Sequence, residues 1–180
     1  LHVSSDGLIV DLVEPVVLEI LETYSDLNEI DYMNQTDSLT LRWSGEDNLS
    51  GLEKYEVWFG NEDGTTVVDW TEIIEQNELS LQALGLEHAS HYVAKVKATD
   101  NAGNESVVFS SDGVLVDLES PIPGGVVDGL ESDEEFTSSV STLNVSWQGF
   151  RDDISGIEFF EYAIGTSPGN TDIVPWTLSG

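Results

Sequence analysis

The chain contains no cysteine, so no disulfide can hold its fold. Positive charge is also scarce, because five Lys and Arg residues face 35 Asp and Glu residues, for a formal net charge of -30. A chain with so few basic side chains cannot neutralise phosphates, which excludes nucleic acid as a partner. The same deficit argues against membrane binding, and no apolar run approaches the roughly 20 residues of a membrane-spanning helix.

Apolar material, by contrast, is sufficient for a packed core. The 180 residues are 39% hydrophobic and include five Trp, five Tyr and six Phe, enough for one or two domains. A net charge of -30 repels itself across a compact domain, and salt screens that repulsion. We therefore expect a protein that works in a saline or calcium-rich medium.

An internal repeat organises the chain. The Ser-Ser-Asp-Gly segment at residues 4–7 returns at residues 110–113, and a proline follows each copy, at Pro15 and Pro121. Both features are displaced by 106 residues (110 − 4 and 121 − 15). Self-similarity over such a distance is the mark of a tandem array of domains.

A second pair of segments gives nearly the same displacement. Residues 51–60 recur as residues 156–165, an offset of 105. A unit of about 105 residues is the size of one seven-stranded β-sandwich. The sequence therefore predicts three parts: 1–14 as the last strand of a preceding repeat, 15–120 as a complete repeat, and 121–180 as the first half of a following repeat.

Alternation of apolar and polar residues predicts strands throughout. Leu39, Leu41 and Trp43 alternate with polar residues, which places three large apolar side chains on one face of a strand. The same alternation recurs at Tyr55, Val57 and Phe59, at Tyr92, Ala94, Val96 and Ala98, at Leu143, Val145 and Trp147, and at Phe160, Tyr162 and Ile164. The predicted fold class is all-β, as tandem β-sandwich repeats.

These strands resemble the fibronectin type III family. Residues 38–43 resemble its second strand with a core Trp, and residues 55–58 resemble its third. Leu86, Ser90 and Tyr92 match its tyrosine corner. The resemblance implies a fibronectin type III-like sandwich, of the kind that giant microbial surface proteins and multimodular secreted enzymes use as spacers, stalks or adhesin bodies.

Two functions from different classes follow from that resemblance. The first is a structural spacer of an extracellular adhesin or surface filament, which sets reach and stiffness. The alternative is a glycan- or protein-binding or linker module of a multimodular secreted enzyme. We do not expect an enzyme, since the chain has no Cys nucleophile and its histidines lack the converging ligands of a zinc site.

Carboxylates in loops and at junctions are candidate calcium ligands, because hard cations prefer oxygen. The candidates form three groups: Asp47 with Asp100 and Asn101, Asp11 with Glu14, and Asp117 with Glu119. In the alternative interpretation, Asp47 caps the turn that ends at Gly51, while Asp100 and Asn101 form an Asx-type turn. No cofactor is required for the predicted fold, and calcium is the one candidate.

Partners of two kinds are expected. Glycans or host-cell ligands are the first kind, and three Trp residues without a clear inward register, Trp58, Trp70 and Trp176, are the candidates to bind them. Four Asn-x-Ser/Thr sequons, at Asn34, Asn48, Asn104 and Asn144, are candidate sites of covalent glycosylation. Neighbouring repeats or subunits are the second kind, because half a sandwich leaves strand edges unpaired. We expect residues 121–180 to be completed by strands equivalent to residues 77–118.

Overall fold

The computed structural model describes residues 5–24, 28–130 and 132–179. These residues form strands and connecting loops without a helix, which confirms the all-β class. The first residue of the leading Ser-Ser-Asp-Gly copy, Ser4, lies outside the described residues. The chain divides into a first unit, Leu1–Leu118, and a second unit, Glu119–Gly180. No helix long and apolar enough to cross a membrane occurs in the described part of the chain.

Thirteen strands are described, nine in the first unit and four in the second. The strands of the first unit are β1 Val16–Thr23, β2 Tyr32–Met33, β3 Ser38–Glu46, β4 Leu52–Asn61, β5 Thr66–Ile73, β6 Glu78–Gln82, β7 His91–Asp100, β8 Phe109–Ser110 and β9 Val114–Val116. Those of the second unit are β10 Gly125–Asp128, β11 Val145–Gln148, β12 Glu161–Ile164 and β13 Val174–Leu178.

The first unit packs two sheets over one core. One sheet has the order β1-β3-β6, and the other has the order β2-β9-β7-β4-β5, with β8 also paired to β7. Neighbouring strands are antiparallel except for β2 and β9, which are parallel. The core draws buried apolar side chains from both sheets. This arrangement has the β-sandwich character that the sequence predicts.

The predicted inward register of β3 is confirmed. Leu39, Leu41 and Trp43 are 2%, 0% and 3% exposed. The indole of Trp43 meets the ring of Tyr55 edge-on, with ring centroids 5.7 Å apart and planes at 67°. An edge-to-face aromatic pair across the two sheets fixes how they pack.

A tyrosine corner ties β7 to the loop before it. The hydroxyl of Tyr92 accepts a hydrogen bond from the backbone N–H of Glu87 at 3.0 Å. The Tyr92 ring is buried and stacks on Phe59, with centroids 5.8 Å apart. The polar end of a core aromatic is thereby satisfied at the sheet boundary, as the sequence pattern predicts.

Residues 5–15, which precede β1, form no strand. Leu8, Leu12 and Val13 in this segment are exposed, whereas Asp11 and Pro15 are buried in the first unit. That residues 1–14 complete a preceding repeat remains a prediction.

The second unit repeats the strand register of the first. Trp43 of β3 pairs with Ile20 of β1, and Trp147 of β11 pairs with Val126 of β10. Further matched pairs are Glu22–Leu41 with Asp128–Val145, Glu56–Glu72 with Glu161–Leu178, and Val57–Thr71 with Tyr162–Thr177. The two copies of the repeated sequence therefore pair their strands in the same way.

The aromatic cluster of the second unit is only partly covered. Trp147 lies 5.9 Å from Phe160 and 6.3 Å from Tyr162, but all three rings are only half-buried. Leu143 was expected in a strand with Val145, yet β11 begins at Val145 and Leu143 is 57% exposed. In the first unit β6 pairs with this part of β3, and the described residues of the second unit contain no such strand.

Replacing Trp43 with Ala should lower the free energy of unfolding by about 3 to 5 kcal/mol, because a large cavity opens between the two sheets. Urea unfolding followed by circular dichroism measures this. Trp70, which is 39% exposed, is the matched control. Trp70→Ala should cost less than about 1 kcal/mol. Equal losses in the two variants would contradict the packing described for Trp43.

Residues 121–180 expressed alone should not unfold cooperatively, because half-buried rings leave apolar surface that water covers unfavourably. Near-ultraviolet circular dichroism should show little fixed tryptophan signal. Residues 1–120 are the control and should give a cooperative transition. A monomeric, cooperatively folded 121–180 fragment would show that this half needs no further strands.

Candidate functional site

Carboxylates converge at two places in the first unit. The Asp11 cluster consists of Asp11, Asp47 and Asp100, and the Glu22 cluster consists of Glu22, Glu29 and Asp112. In each cluster one oxygen of every carboxylate lies within 4.8 Å of the others. The Glu22 cluster lies beside Ala94 in the middle of β7, whereas the Asp11 cluster lies at the end of β7, where Asp100 stands. The two clusters are therefore separate.

Asp47 caps the loop between β3 and β4. Its Oδ1 accepts hydrogen bonds from the backbone N–H groups of Leu49 at 3.1 Å and Gly51 at 2.7 Å, and Ser50 Oγ lies 3.4 Å away. Gly51 has a φ of +77°, a left-handed conformation that suits glycine. This is the capping that the sequence offered as the alternative to calcium binding.

Asp100 ends β7 and organises the next loop. Its Oδ1 accepts from the backbone N–H groups of Ala102 at 2.9 Å and Asn104 at 2.8 Å, and its Oδ2 accepts from Asn104 Nδ2 at 2.7 Å. Burial works to raise the pKa of Asp100, but the hydrogen bonds from Asn104, Ala102 and Gly103 outweigh it and lower the pKa.

Asp11 fastens the segment before β1 to these loops. Its Oδ1 accepts from the N–H of Val13 at 2.9 Å and its Oδ2 from the N–H of Ser50 at 3.0 Å. The bond from Val13 is the main reason that the pKa of Asp11 is lowered. In return, Asn104 Nδ2 donates to the carbonyls of Asp11 at 3.4 Å and Val13 at 3.2 Å. Residues 11–13 are therefore held both through the Asp11 side chain and through the backbone carbonyls of Asp11 and Val13.

The structure brings together part of each of two predicted calcium groups. Asp47 and Asp100 meet as expected, and they are joined by Asp11. Asn101 turns its amide nitrogen toward the loop and donates to the carbonyls of residues 50, 51 and 52, so that nitrogen is not a ligand. Glu14 is exposed and lies outside the cluster.

Asp117 and Glu119, the third predicted group, are placed differently. Asp117 is buried, and one of its oxygens lies 3.8 Å from Nδ1 of His88. Glu119 is exposed and opens the second unit. Most oxygens of the Asp11 cluster already accept backbone hydrogen bonds, and calcium binding at all of these residues remains a prediction.

Glu22 of the second cluster was not among the predicted site residues. It is fully buried, at 0% exposure, because it follows the core residue Ile20 by two positions in β1. Its Oε1 accepts from the N–H of Ala94 at 3.2 Å and from Ser111 Oγ at 2.5 Å. The sequence feature that could have identified Glu22 is the alternation in β1, which places a carboxylate at a position where an apolar core side chain is expected.

A break between β8 and β9 explains why Glu22 is needed there. Both strands pair with β7, and the turn between them leaves the N–H of Ala94 without a strand partner. Glu22 and Ser111 supply the missing acceptors, at 3.2 and 2.9 Å. Gly113 completes the turn at a φ of +87°, where a Cβ would collide with the carbonyl oxygen of Tyr92.

Burial raises the pKa of Glu22 from 4.5 to about 7, against the opposing effect of the hydrogen bonds from Ser111 and Ala94. The pKa of Glu29 is raised as well, first by burial and then by the negative charges of Asp112, Asp31 and Glu19. Ionisation of these carboxyl groups is therefore unfavourable in the Glu22 cluster.

Three of the four sequons present an exposed asparagine, at Asn34, Asn48 and Asn144. Asn104 differs, because its amide nitrogen donates to Asp100 and to the carbonyls of Asp11 and Val13. A glycan on that nitrogen would remove a donor proton from this network.

The three Trp residues considered for glycan binding divide into two kinds. Trp58 is 6% exposed, donates its indole N–H to Thr66 Oγ1 at 3.1 Å and has the ammonium of Lys95 4.4 Å from its ring. Trp70 and Trp176 are 39% and 66% exposed. Only the last two present aromatic surface to solvent.

The free energy of unfolding, measured in a chelator-containing buffer, should fall as the pH rises from about 4.5 to about 7. In that interval the unfolded state has released the proton of Glu22 and the folded state still holds it, a loss on the order of 3 kcal/mol. Below pH 4.5 this contribution is fully present. Glu22→Gln should flatten the curve in urea titrations between pH 4 and 8.

Glu87→Gln removes an equivalent charge from an exposed side chain of the same unit and is the control. It should keep the pH dependence of the parent chain. The assignment to Glu22 fails if Glu22→Gln and Glu87→Gln give the same slope.

Comparison with protein-family models finds no family that matches this chain, and no curated protein matches it. The fold and the two acidic clusters therefore rest on the residues and geometry of this chain.

Proposed function

We propose that this chain is a structural spacer of an extracellular adhesin or surface filament, built from tandem fibronectin type III-like repeats. A spacer needs a rigid domain, and the segment that precedes the domain must be held in a fixed orientation. The proposal is therefore supported chiefly by how the entering segment is attached to the first sandwich.

The fastened segment at Asp11 is the observation that carries the proposal. Ser50, from the loop before β4, and Asn104, from the loop after β7, both hold residues 11–13. Pro15, two residues after Val13, restricts the backbone further. Short, fastened links favour semi-rigid arrays over flexible ones.

Two further features support the fibronectin type III-like type of the repeat. The unit sets the three strands β1, β3 and β6 against a sheet containing β9, β7, β4 and β5. The Tyr92 hydroxyl makes the corner hydrogen bond to Glu87. The repeated register in the second unit supports a tandem array of such repeats.

Pulling single chains from both ends tests the spacer role. The sandwich from β1 to β9 should rupture in one step and release about 350 Å of chain, at the length of an extended backbone. In Asn104→Ala the segment before β1 should detach at a lower force than in the parent chain, while the main rupture stays. Asn48→Ala, in an exposed loop position, is the control. Gradual extension without a rupture would contradict the spacer role.

Glycan binding is the second candidate function, and the exposed ring of Trp176 favours it, at 66% exposure. Sugar rings stack on such surfaces. Saturable binding of the chain to immobilised glycans that is lost in Trp176→Ala would support this binding role over the spacer role. Absence of saturable binding would leave the spacer as the better account.

A further inference from the structure

The Glu22 cluster has a feature that hydrogen bonding inside the fold leaves unexplained. Oε1 of Glu22 has two donors, whereas Oε2 is buried and has no hydrogen-bond partner among the described residues. A buried carboxylate oxygen without a donor or a cation is costly. Glu29 and Asp112 each place a carboxylate oxygen within 4.8 Å of one Glu22 oxygen, which adds repulsion.

No Lys or Arg side chain reaches this cluster. All five basic side chains are engaged elsewhere: Arg42 with Glu78 at 3.6 Å, Lys54 with Glu72 at 2.7 Å, Lys97 with Glu56 at 2.8 Å, Arg151 with Asp153 at 3.6 Å, and Lys95 over Trp58 at 4.4 Å. His91 lines a shallow depression together with Asp112, but its Nδ1 lies 3.1 Å from Glu62. None of the five Lys and Arg residues compensates the cluster, and a bound cation would supply the missing positive charge.

We propose that Glu22, Glu29 and Asp112 bind one hard divalent cation, Ca²⁺, through carboxylate oxygens. Glu22 Oε2 supplies the buried ligand, and the exposed carboxylates of Glu29 and Asp112 close the site from the solvent side. Ca²⁺ accepts irregular sets of oxygen ligands and completes its shell with water, which suits three carboxylates at a partly open surface. The negative charges of Glu19 and Asp31, which act on Glu29, draw the cation to this place.

The site also gives a role to the segment that marks the repeat. In Ser-Ser-Asp-Gly at 110–113, Ser111 orients Glu22, Asp112 is a ligand and Gly113 permits the tight turn. The acidic positions recur with the repeat as well. The offset that carries Pro15 onto Pro121 (121 − 15 = 106) carries Glu22 onto Asp128 and Glu29 onto Glu135.

Calcium at this site would connect three separate parts of the first sandwich. Glu22 is the next-to-last residue of β1, Glu29 follows in the loop and bridges back to Thr23, and Asp112 lies between β8 and β9. Binding therefore stabilises the folded state over the unfolded one, in which the three carboxylates are far apart.

The test measures calcium binding by the whole chain at pH 8 in 1 M NaCl, where general charge screening is already strong. Titration calorimetry with CaCl₂ and melting with CaCl₂ or EDTA are applied to the parent chain, Glu29→Gln and Asp112→Asn. Both substituted side chains are exposed, so the fold should be retained. Glu87→Gln is the charge-matched control, and Asp47→Asn tests the Asp11 cluster.

The parent chain should bind Ca²⁺ with a dissociation constant on the order of 10⁻⁴ to 10⁻³ M. Glu29→Gln and Asp112→Asn should weaken binding about tenfold or more and lose most of the calcium-dependent rise in melting temperature. In EDTA both should melt at or above the parent temperature, because a like charge beside Glu22 is gone. Amide signals of Ala94 and Ser111 should shift with calcium until saturation.

The proposal is overturned if the parent chain shows no saturable calcium binding, or if Glu87→Gln weakens binding as much as Asp112→Asn does. Binding that survives in Glu29→Gln and Asp112→Asn but is lost in Asp47→Asn would place calcium at the Asp11 cluster instead. None of these results bears on the spacer role, which rests on the fastened segment and its mechanical test.

Discussion

The fold has to hold 35 carboxylates with only five basic side chains. Ion pairs cannot compensate so many negative charges, and the chain uses backbone N–H groups in their place. Asp47, Asp100 and Asp11 each accept backbone hydrogen bonds in the first unit, and Asp152 repeats the Asp47 cap in the second. The acidic loops are thus ordered by the same charges that repel one another, and this supply of donors runs short at Glu22 Oε2 and Asp47 Oδ2, which are buried without a hydrogen-bond partner among the described residues.

Much of the sandwich was predictable because strand alternation alone determines which side chains face the core. The inward positions of β3 and the corner hydrogen bond of Tyr92 are local consequences of sequence. The burial of Trp58 was harder to predict. Trp58 lies between the inward-facing residues Val57 and Phe59 of β4, yet it is only 6% exposed, because Lys95 of β7 lies over its ring. The sequence of one strand does not show which side chain of the neighbouring strand will cover it.

The candidate sites were less predictable than the fold for a similar reason. Asp47 and Asp100 could be expected at one end of the sandwich, but the arrival of Asp11 depends on the path of a segment that forms no strand. Glu22 becomes important only because β8 and β9 leave a gap beside Ala94. Both features arise from irregular backbone, which periodicity does not describe.

The irregular edges of the two sheets bear on how such a chain behaves at high salt. Pairing of β1 with β3 shifts register between Val17 and Glu19, and pairing of β5 with β4 shifts twice. The other outer strands, β2, β6 and β8, span only two, five and two residues. When salt screens the surface charge, these bulges and short edges of the first unit still deny a second molecule a straight strand to pair with, so in this unit resistance to aggregation comes from the backbone as well as from the charge.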